Sequence, residues 1–89
     1  DKLNKKIYIL DIELPEISGL QIADKIRQDD WDSIILFVTS HTECRNDIFY
    51  SRLKAFDYIS KYMSYEKRLQ ESIEKASKIV GKKRIFIYK

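Results

Sequence analysis

The chain holds one cysteine, one proline, two glycines and one histidine in 89 residues. The lone Cys44 excludes an internal disulfide and any cysteine-rich zinc site, and it fits a reducing compartment; on its expected helix it reads as a small packing residue. His41, the single histidine, lacks the partner set of a metal centre and reads as a surface side chain. So few glycines and prolines, beside 35% charged and 44% hydrophobic residues, exclude a disordered or repeat-rich chain and leave a globular, helix-rich one. No apolar run reaches the length of a membrane span, and the start Asp1-Lys2-Leu3-Asn4 is not a signal peptide, so a cytoplasmic location is expected. The first residue is not Met, which points to a piece of something longer. A net charge of +3 is too mild to argue for nucleic acid, and the one basic cluster, Lys82-Lys83-Arg84, reads as solvated surface. The length allows one small domain with one core.

Three apolar runs carry the fold. Lys6 to Ile12 has the continuous β-branched and aromatic character of a strand buried on both faces of a parallel sheet. Pro15 ends the run, and Ser18 is placed to cap a helix from Gly19 to Arg27 with Leu20, Ala23 and Ile26 on one face and Asp29-Asp30 at its exit. Ile34 to Val38 is a second buried strand ending at Thr39. Thr42 to Leu53 carries Ile48, Phe49 and Leu53 on one side and is expected as a helix. Ala55 to Ser60 is a short third strand ending at Lys61. Ser64 can cap a last helix with the stripe Leu69, Ile73, Ala76 and Val80, and Gly81 is its expected carboxyl cap. Beyond it, Ile85-Phe86-Ile87-Tyr88 is strand-like but belongs to no preceding βα unit. Trp31 is expected to anchor a loop.

The order β-α-β-α-β-α predicts an α/β fold with a three-stranded parallel sheet and helices on both faces. Parallel strands end at one edge, where open α/β sheets place ligands, and that edge would gather Asp11, Thr39 and Lys61. Alone, Asp11 would read as a solvated loop acid. An acid, a hydroxyl and an amine at the ends of three strands, with Pro15 and Gly19 in the first loop, make a phosphorylation pocket the better reading.

The segment from Asp11 through Pro15 to Gly19-Leu20, with Thr39, Tyr58 and Lys61 following in order and spacing, resembles the receiver domains of two-component response regulators, the CheY-like, flavodoxin-like family. Phe37-Val38-Thr39-Ser40-His41 and Ala55 to Ile59 look most like regulators carrying a LytTR-type DNA-binding domain, the LytR/AlgR group. The resemblance implies a partial receiver over residues 1–80, starting at the family's third strand and lacking its first two strands, its first helix and the acidic pair that helps hold magnesium. Residues 81–89 would be a linker and the start of a missing DNA-binding domain.

By that resemblance Asp11 is the phosphoacceptor, Lys61 the amine pairing with it and with the phosphoryl group, and Thr39 the hydroxyl donor to a phosphoryl oxygen. Mg2+ would be held by Asp11 and the backbone carbonyl of Glu13 in the full-length parent, and weakly or not at all in this chain; the Glu13 side chain is secondary. Ser40 keeps the pocket mouth small. Tyr58 is either an inward-turning switch or a half-buried sheet residue. The family usually has a proline after its lysine, and Tyr62 stands there instead, so a trans peptide is expected. The implied module is a transcription-controlling signalling switch and not an enzyme, with a sensor histidine kinase as partner and DNA contacted only through the missing domain. The other reading is a phosphorylation-independent dimerisation module on a degenerate receiver scaffold. Without the family's first strand, the edge from Lys6 to Ile12 would stand open and invite self-association, by pairing with its symmetry mate or by addition of the strand Arg84 to Tyr88 from the same or another copy.

Overall fold

The computed structural model describes residues 5–13, 16–40, 52–80 and 85–88. The helix expected from Thr42 falls mostly on residues 41–51, outside that set; of it, Arg52 and Leu53 are described and helical. Pro15, His41, Cys44, Gly81 and Lys82-Lys83-Arg84 also lie outside the described residues.

Continuous apolar sequence gives strands buried on both sides, as expected. Ile7–Asp11 (β1) and Ile34–Thr39 (β2) pair in parallel with Ile7 opposite Ile34 and Asp11 opposite Val38. Asp57–Ser60 (β3) pairs in parallel with β2, Thr39 opposite Ser60. Side-chain alternation then divides the core into two layers. Ile7, Ile9, Leu36, Val38 and Ile59 face the helix Tyr65–Val80, whose stripe Leu69, Ile73, Ala76 and Val80 meets them as the spacing predicted. Leu10, Ile35, Phe37 and half-buried Tyr58 face the helix Gly19–Asp29 (α1) through Leu20, Ala23 and Ile26. We number the helix Tyr65–Val80 α2.

Helix α1 starts where Ser18 was expected to cap it. The Ser18 hydroxyl accepts from Leu20 N–H at 3.1 Å, and Gln21 reaches back to accept from Ser18 N–H at 3.0 Å, so two otherwise orphaned donors are satisfied. The start of α2 differs from expectation. Ser64 closes the first turn with its carbonyl, which accepts from Arg68 N–H at 2.9 Å, but its φ of 51° is far from the extended geometry of a side-chain cap. This helix is tied to the sheet instead by the Ser72 hydroxyl, which donates to the Asp57 carboxylate.

The sheet has a fourth strand where three were expected. Ile85–Tyr88 (β4) lies against β1 in parallel, giving the order β3-β2-β1-β4. Helix α2 packs across β3, β2 and β1 and returns the chain to the opposite end of the sheet, so the strand that follows runs the same way as β1. The edge of β1 expected to be open is thus covered by the chain's own tail, in the second of the two ways anticipated. Ile7 pairs with Ile85, and the rings of Tyr8 and Phe86 stack at 5.7 Å.

At the amino ends of the strands one residue organises the loops. The Arg27 guanidinium donates to five carbonyls: Leu53 at 2.7 Å, Asp30 at 3.1 Å, Trp31 at 3.0 Å, Ser33 at 2.7 Å and Lys54 at 3.0 Å. Burial pulls the Arg27 pKa down, against the raising influence of Asp30, Asp32 and Tyr8. Trp31 does anchor this loop, by its carbonyl and by its ring, which lies 5.5 Å from Arg27 and 5.4 Å from the Lys54 ammonium. Asp30 accepts from Ser33 N–H, and buried Ser33 in turn accepts from Lys6 N–H at 2.8 Å. Replacing Arg27 by Ala should therefore destabilise the chain by about 2–3 kcal/mol in urea melts, and Arg27→Lys should recover little, since one ammonium cannot reach five carbonyls.

Candidate functional site

The parallel alignment of β1, β2 and β3 brings Asp11, Thr39 and Lys61 to one edge, as their spacing predicted. Asp11 ends β1, and its side chain is only 10% exposed. Two donors hold its carboxylate. One oxygen accepts from Glu13 N–H at 2.9 Å, which turns the loop tightly after the strand, and the other is paired with the Lys61 ammonium. Lys61 arrives from β3 through its own backbone, whose N–H donates to the Thr39 carbonyl at 2.8 Å. That bond sets the lysine beside β2 and leaves its side chain to span toward Asp11.

Gly19 explains the glycine in the loop. A Cβ there would come within 2.4 Å of the Asp11 carbonyl oxygen and 2.9 Å of its carbon. Only a residue without a side chain lets the start of α1 close on the end of β1, and Gly19 N–H completes the contact by donating to the Ile12 carbonyl at 3.2 Å. The glycine thus fixes the backbone from which the Asp11 carboxylate projects.

Glu13 departs from expectation. The difference concerns its side chain, expected to be secondary: the carboxylate is bound across the pocket. It accepts from the Thr39 hydroxyl, from Ser40 N–H at 3.1 and 3.2 Å, and from the Ser40 hydroxyl at 2.9 Å. Thr39 itself is fully buried. The sequence signal was an acid two positions past Asp11 facing a Thr-Ser pair at the end of the next strand. Tyr58 is half-buried on the α1 face, across the sheet from Ile59 and α2. Asp29-Asp30 lies at the far end of the sheet, where Asp30 serves Ser33. A solvent-open hollow of about 450 Å³ between Lys6, Tyr8, Lys25, Asp29, Asp30 and Trp31 is also at that far end, and none of Asp11, Glu13, Thr39 and Lys61 lines it.

Among the described residues no three His, Cys, Asp or Glu side chains converge on a metal position. The Asp11 carboxylate is an oxygen donor of the kind that a hard cation such as magnesium prefers. All described peptides are trans, that between Lys61 and Tyr62 included.

The chain is similar to known proteins in sequence and in fold. A model of the response regulator receiver domain matches residues 1–74. The chain belongs to that family. It is 32% identical over 84 residues to the sensory transduction protein LytT of Oceanobacillus iheyensis, covering 92% of this chain and 33% of LytT. It is 32% identical over 78 residues to the positive alginate biosynthesis regulatory protein of Pseudomonas aeruginosa, covering 88% of this chain and 30% of that one. These relatives are of the LytTR kind that the sequence resembled. The receiver thus spans about a third of the length of the curated relatives it matches. Among solved structures, the response regulator TrrA of Thermotoga maritima, in complex with Mg2+-BeF, superposes with a TM-score of 0.67 at 34% identity, over 82% of this chain and 61% of TrrA. TrrA in complex with the histidine kinase ThkA gives a TM-score of 0.64, also at 34% identity, over 82% of this chain and 60% of TrrA. The fold is therefore a partial, CheY-like receiver of the α/β class. No described helix is long and apolar enough to cross a membrane.

The Lys61 pair has a definite pH signature. The hydrogen bond to Asp11 raises the Lys61 pKa above 10.5, with the Asp11, Glu13 and Tyr65 charges adding and burial opposing. A raised lysine stabilises the fold fully below its unfolded pKa and loses that contribution as pH rises through the folded value. Thermal melts should then show Lys61→Met less stable than the parent by roughly 1 kcal/mol at neutral pH, the gap closing as pH rises above the usual lysine range.

Proposed function

We propose that the chain is the phosphoacceptor receiver of a two-component response regulator that controls transcription, with Asp11 as the acceptor. The Asp11–Lys61 pair at the carboxyl edge, with Thr39 beside it, is the observation that carries this reading. An Asp11 carboxylate oxygen attacks the phosphorus of a phosphohistidine; the O–P bond forms, the donor's N–P bond breaks, and the freed imidazole takes a proton. Phosphoryl transfer needs positioning and charge neutralisation more than a base, and Lys61 supplies both. The lysine can pass from the resting carboxylate to a phosphoryl oxygen with little movement.

Mg2+, present in the TrrA complex, would here be held by Asp11 and the Glu13 carbonyl and would neutralise further phosphoryl charge. In this reading Thr39 donates to a phosphoryl oxygen and Tyr58 turns inward, shifting a two-state surface. The phosphoryl donor is a sensor histidine kinase, in keeping with the TrrA–ThkA complex. In this reading residues 1–80 form the receiver part, residues 81–89 lead toward a DNA-binding domain of the whole protein although Ile85–Tyr88 pairs with β1 of the receiver's own sheet, and the setting is cytoplasmic. The receiver itself is a signalling module rather than an enzyme.

A second copy of the chain is the further partner, and β4 favours it. Ile85, Phe86 and Ile87 are 38%, 40% and 55% exposed on a strand that ends the sheet. Such an edge is open to pairing. Used without phosphorylation, this surface would make the chain an interaction module on a receiver scaffold.

Treatment with phosphoramidate and Mg2+ should place a low-occupancy acyl phosphate on Asp11, detected by mass spectrometry and absent from Asp11→Ala. Label on another residue, or label surviving that substitution, would overturn the assignment. Sedimentation equilibrium over a concentration series should show dimers that Phe86→Lys or Ile87→Lys weakens; a monomer throughout removes the second copy from the partners.

A further inference from the structure

We infer that the Glu13 carboxylate is an internal anion seated on the donors that would receive the phosphoryl group, and that it must leave before those donors can bind an outside anion. The inference rests on the phosphoacceptor reading of Asp11 and adds a competitor to it. Three donors converge on Glu13 from the end of β2: the Thr39 hydroxyl, Ser40 N–H and the Ser40 hydroxyl. A carboxylate held by a hydroxyl and a backbone N–H offers oxygen acceptors to the groups that suit a phosphoryl oxygen. Thr39 is 0% exposed, so its hydroxyl meets no solvent anion while Glu13 is in place.

Glu13 is nevertheless built to move. The residue as a whole is exposed, and its side chain crosses from the loop after β1 to the end of β2 without packing in either core layer. Its own backbone N–H is fixed on Asp11, so the side chain can swing outward while the loop stays in register. Displacement would exchange charge-assisted bonds to a carboxylate for similar bonds to a phosphoryl oxygen. It would also take one negative charge away from the site as another arrives, and it would expel an acid to the surface beside Ser40. Resting and loaded pockets then differ in which anion Thr39 and Ser40 hold, and an empty pair of donors is avoided in both.

The test follows the Ser40 amide by nitrogen–proton correlation spectra in the parent chain, Glu13→Ala and Glu13→Gln, during titration with inorganic phosphate. Circular dichroism checks that each variant is folded, and Glu13→Gln serves if the alanine variant is not. The Ser40 amide should shift on substitution alone. Phosphate should bind Glu13→Ala about tenfold more tightly than the parent, Glu13→Gln should fall between, and Thr39→Val added to Glu13→Ala should abolish the gain. Equal phosphate affinity in parent and variants, or a Ser40 amide indifferent to Glu13, overturns the inference. The same variants treated with phosphoramidate separate it from the reading beneath it. Phosphorylation of Asp11 with no dependence on Glu13 defeats the competitor alone. Tighter phosphate binding with no acyl phosphate in any variant defeats the phosphoacceptor and leaves Glu13 as the occupant of an anion site.

Discussion

Everything at the site follows from the parallel pairing of β1 and β2. Asp11 stands opposite Val38, so the next residue of β2, Thr39, projects just past the end of β1. Thr39 then pairs with Ser60, and its carbonyl takes the Lys61 N–H, which carries the amine to the same edge. One residue of slip in either pairing would turn each of these side chains to the opposite face. The register is held by the core: Ile7, Ile9, Leu36, Val38 and Ile59 can be buried under α2 only in this alignment. Packing far from the pocket therefore sets its geometry, and the acid and amine are positioned by apolar residues that touch neither.

The close approach of α1 to β1 is the second constraint, and it acts through what Gly19 lacks. A helix starting this near a strand end needs a backbone contact, which the sequence showed only as a glycine eight residues past an aspartate. The hydrophobic periods that predicted α1, β1, β2 and the stripe on α2 were legible because burial of a face leaves a repeating mark. The Ser18 cap was legible for a different reason, being a local residue preference at a helix start, while its completion by Gln21 appears only in the structure.

What the sequence hid was bonding between residues far apart along the chain. Arg27 reads as one more charged residue near a helix end, yet it gathers carbonyls from two loops. Asp57 and Ser72 lie fifteen positions apart and meet because α2 folds back over β3. Neither has a period or a local motif to announce it. Glu13 belongs with them. Its side chain looked secondary because the resemblance gave a role only to its backbone, and nothing local in the sequence states where a loop acid will find donors. The core residues and Asp11, Thr39 and Lys61 were foreseeable from spacing; the polar ties that decide how the pocket rests were not.

The position of β4 bears on the same balance. A strand edge as apolar as Ile7-Tyr8-Ile9-Leu10 carries a row of unpaired backbone donors and acceptors, and any segment of alternating β-formers within reach can satisfy them. Residues Ile85–Tyr88 are such a segment, delivered at the right end of the sheet by α2. Pairing them completes the hydrogen bonding of β1 but buries little of the new strand, whose Ile85, Phe86 and Ile87 stay substantially exposed. The strand is therefore held mainly by its ladder and by the Tyr8–Phe86 stack, far less than the doubly covered β1 and β2. Stability in this sheet falls from centre to edge, and Asp11 sits on one of the two inner strands, where the backbone is most firmly fixed and a side chain of the adjoining loop could change partners without disturbing it.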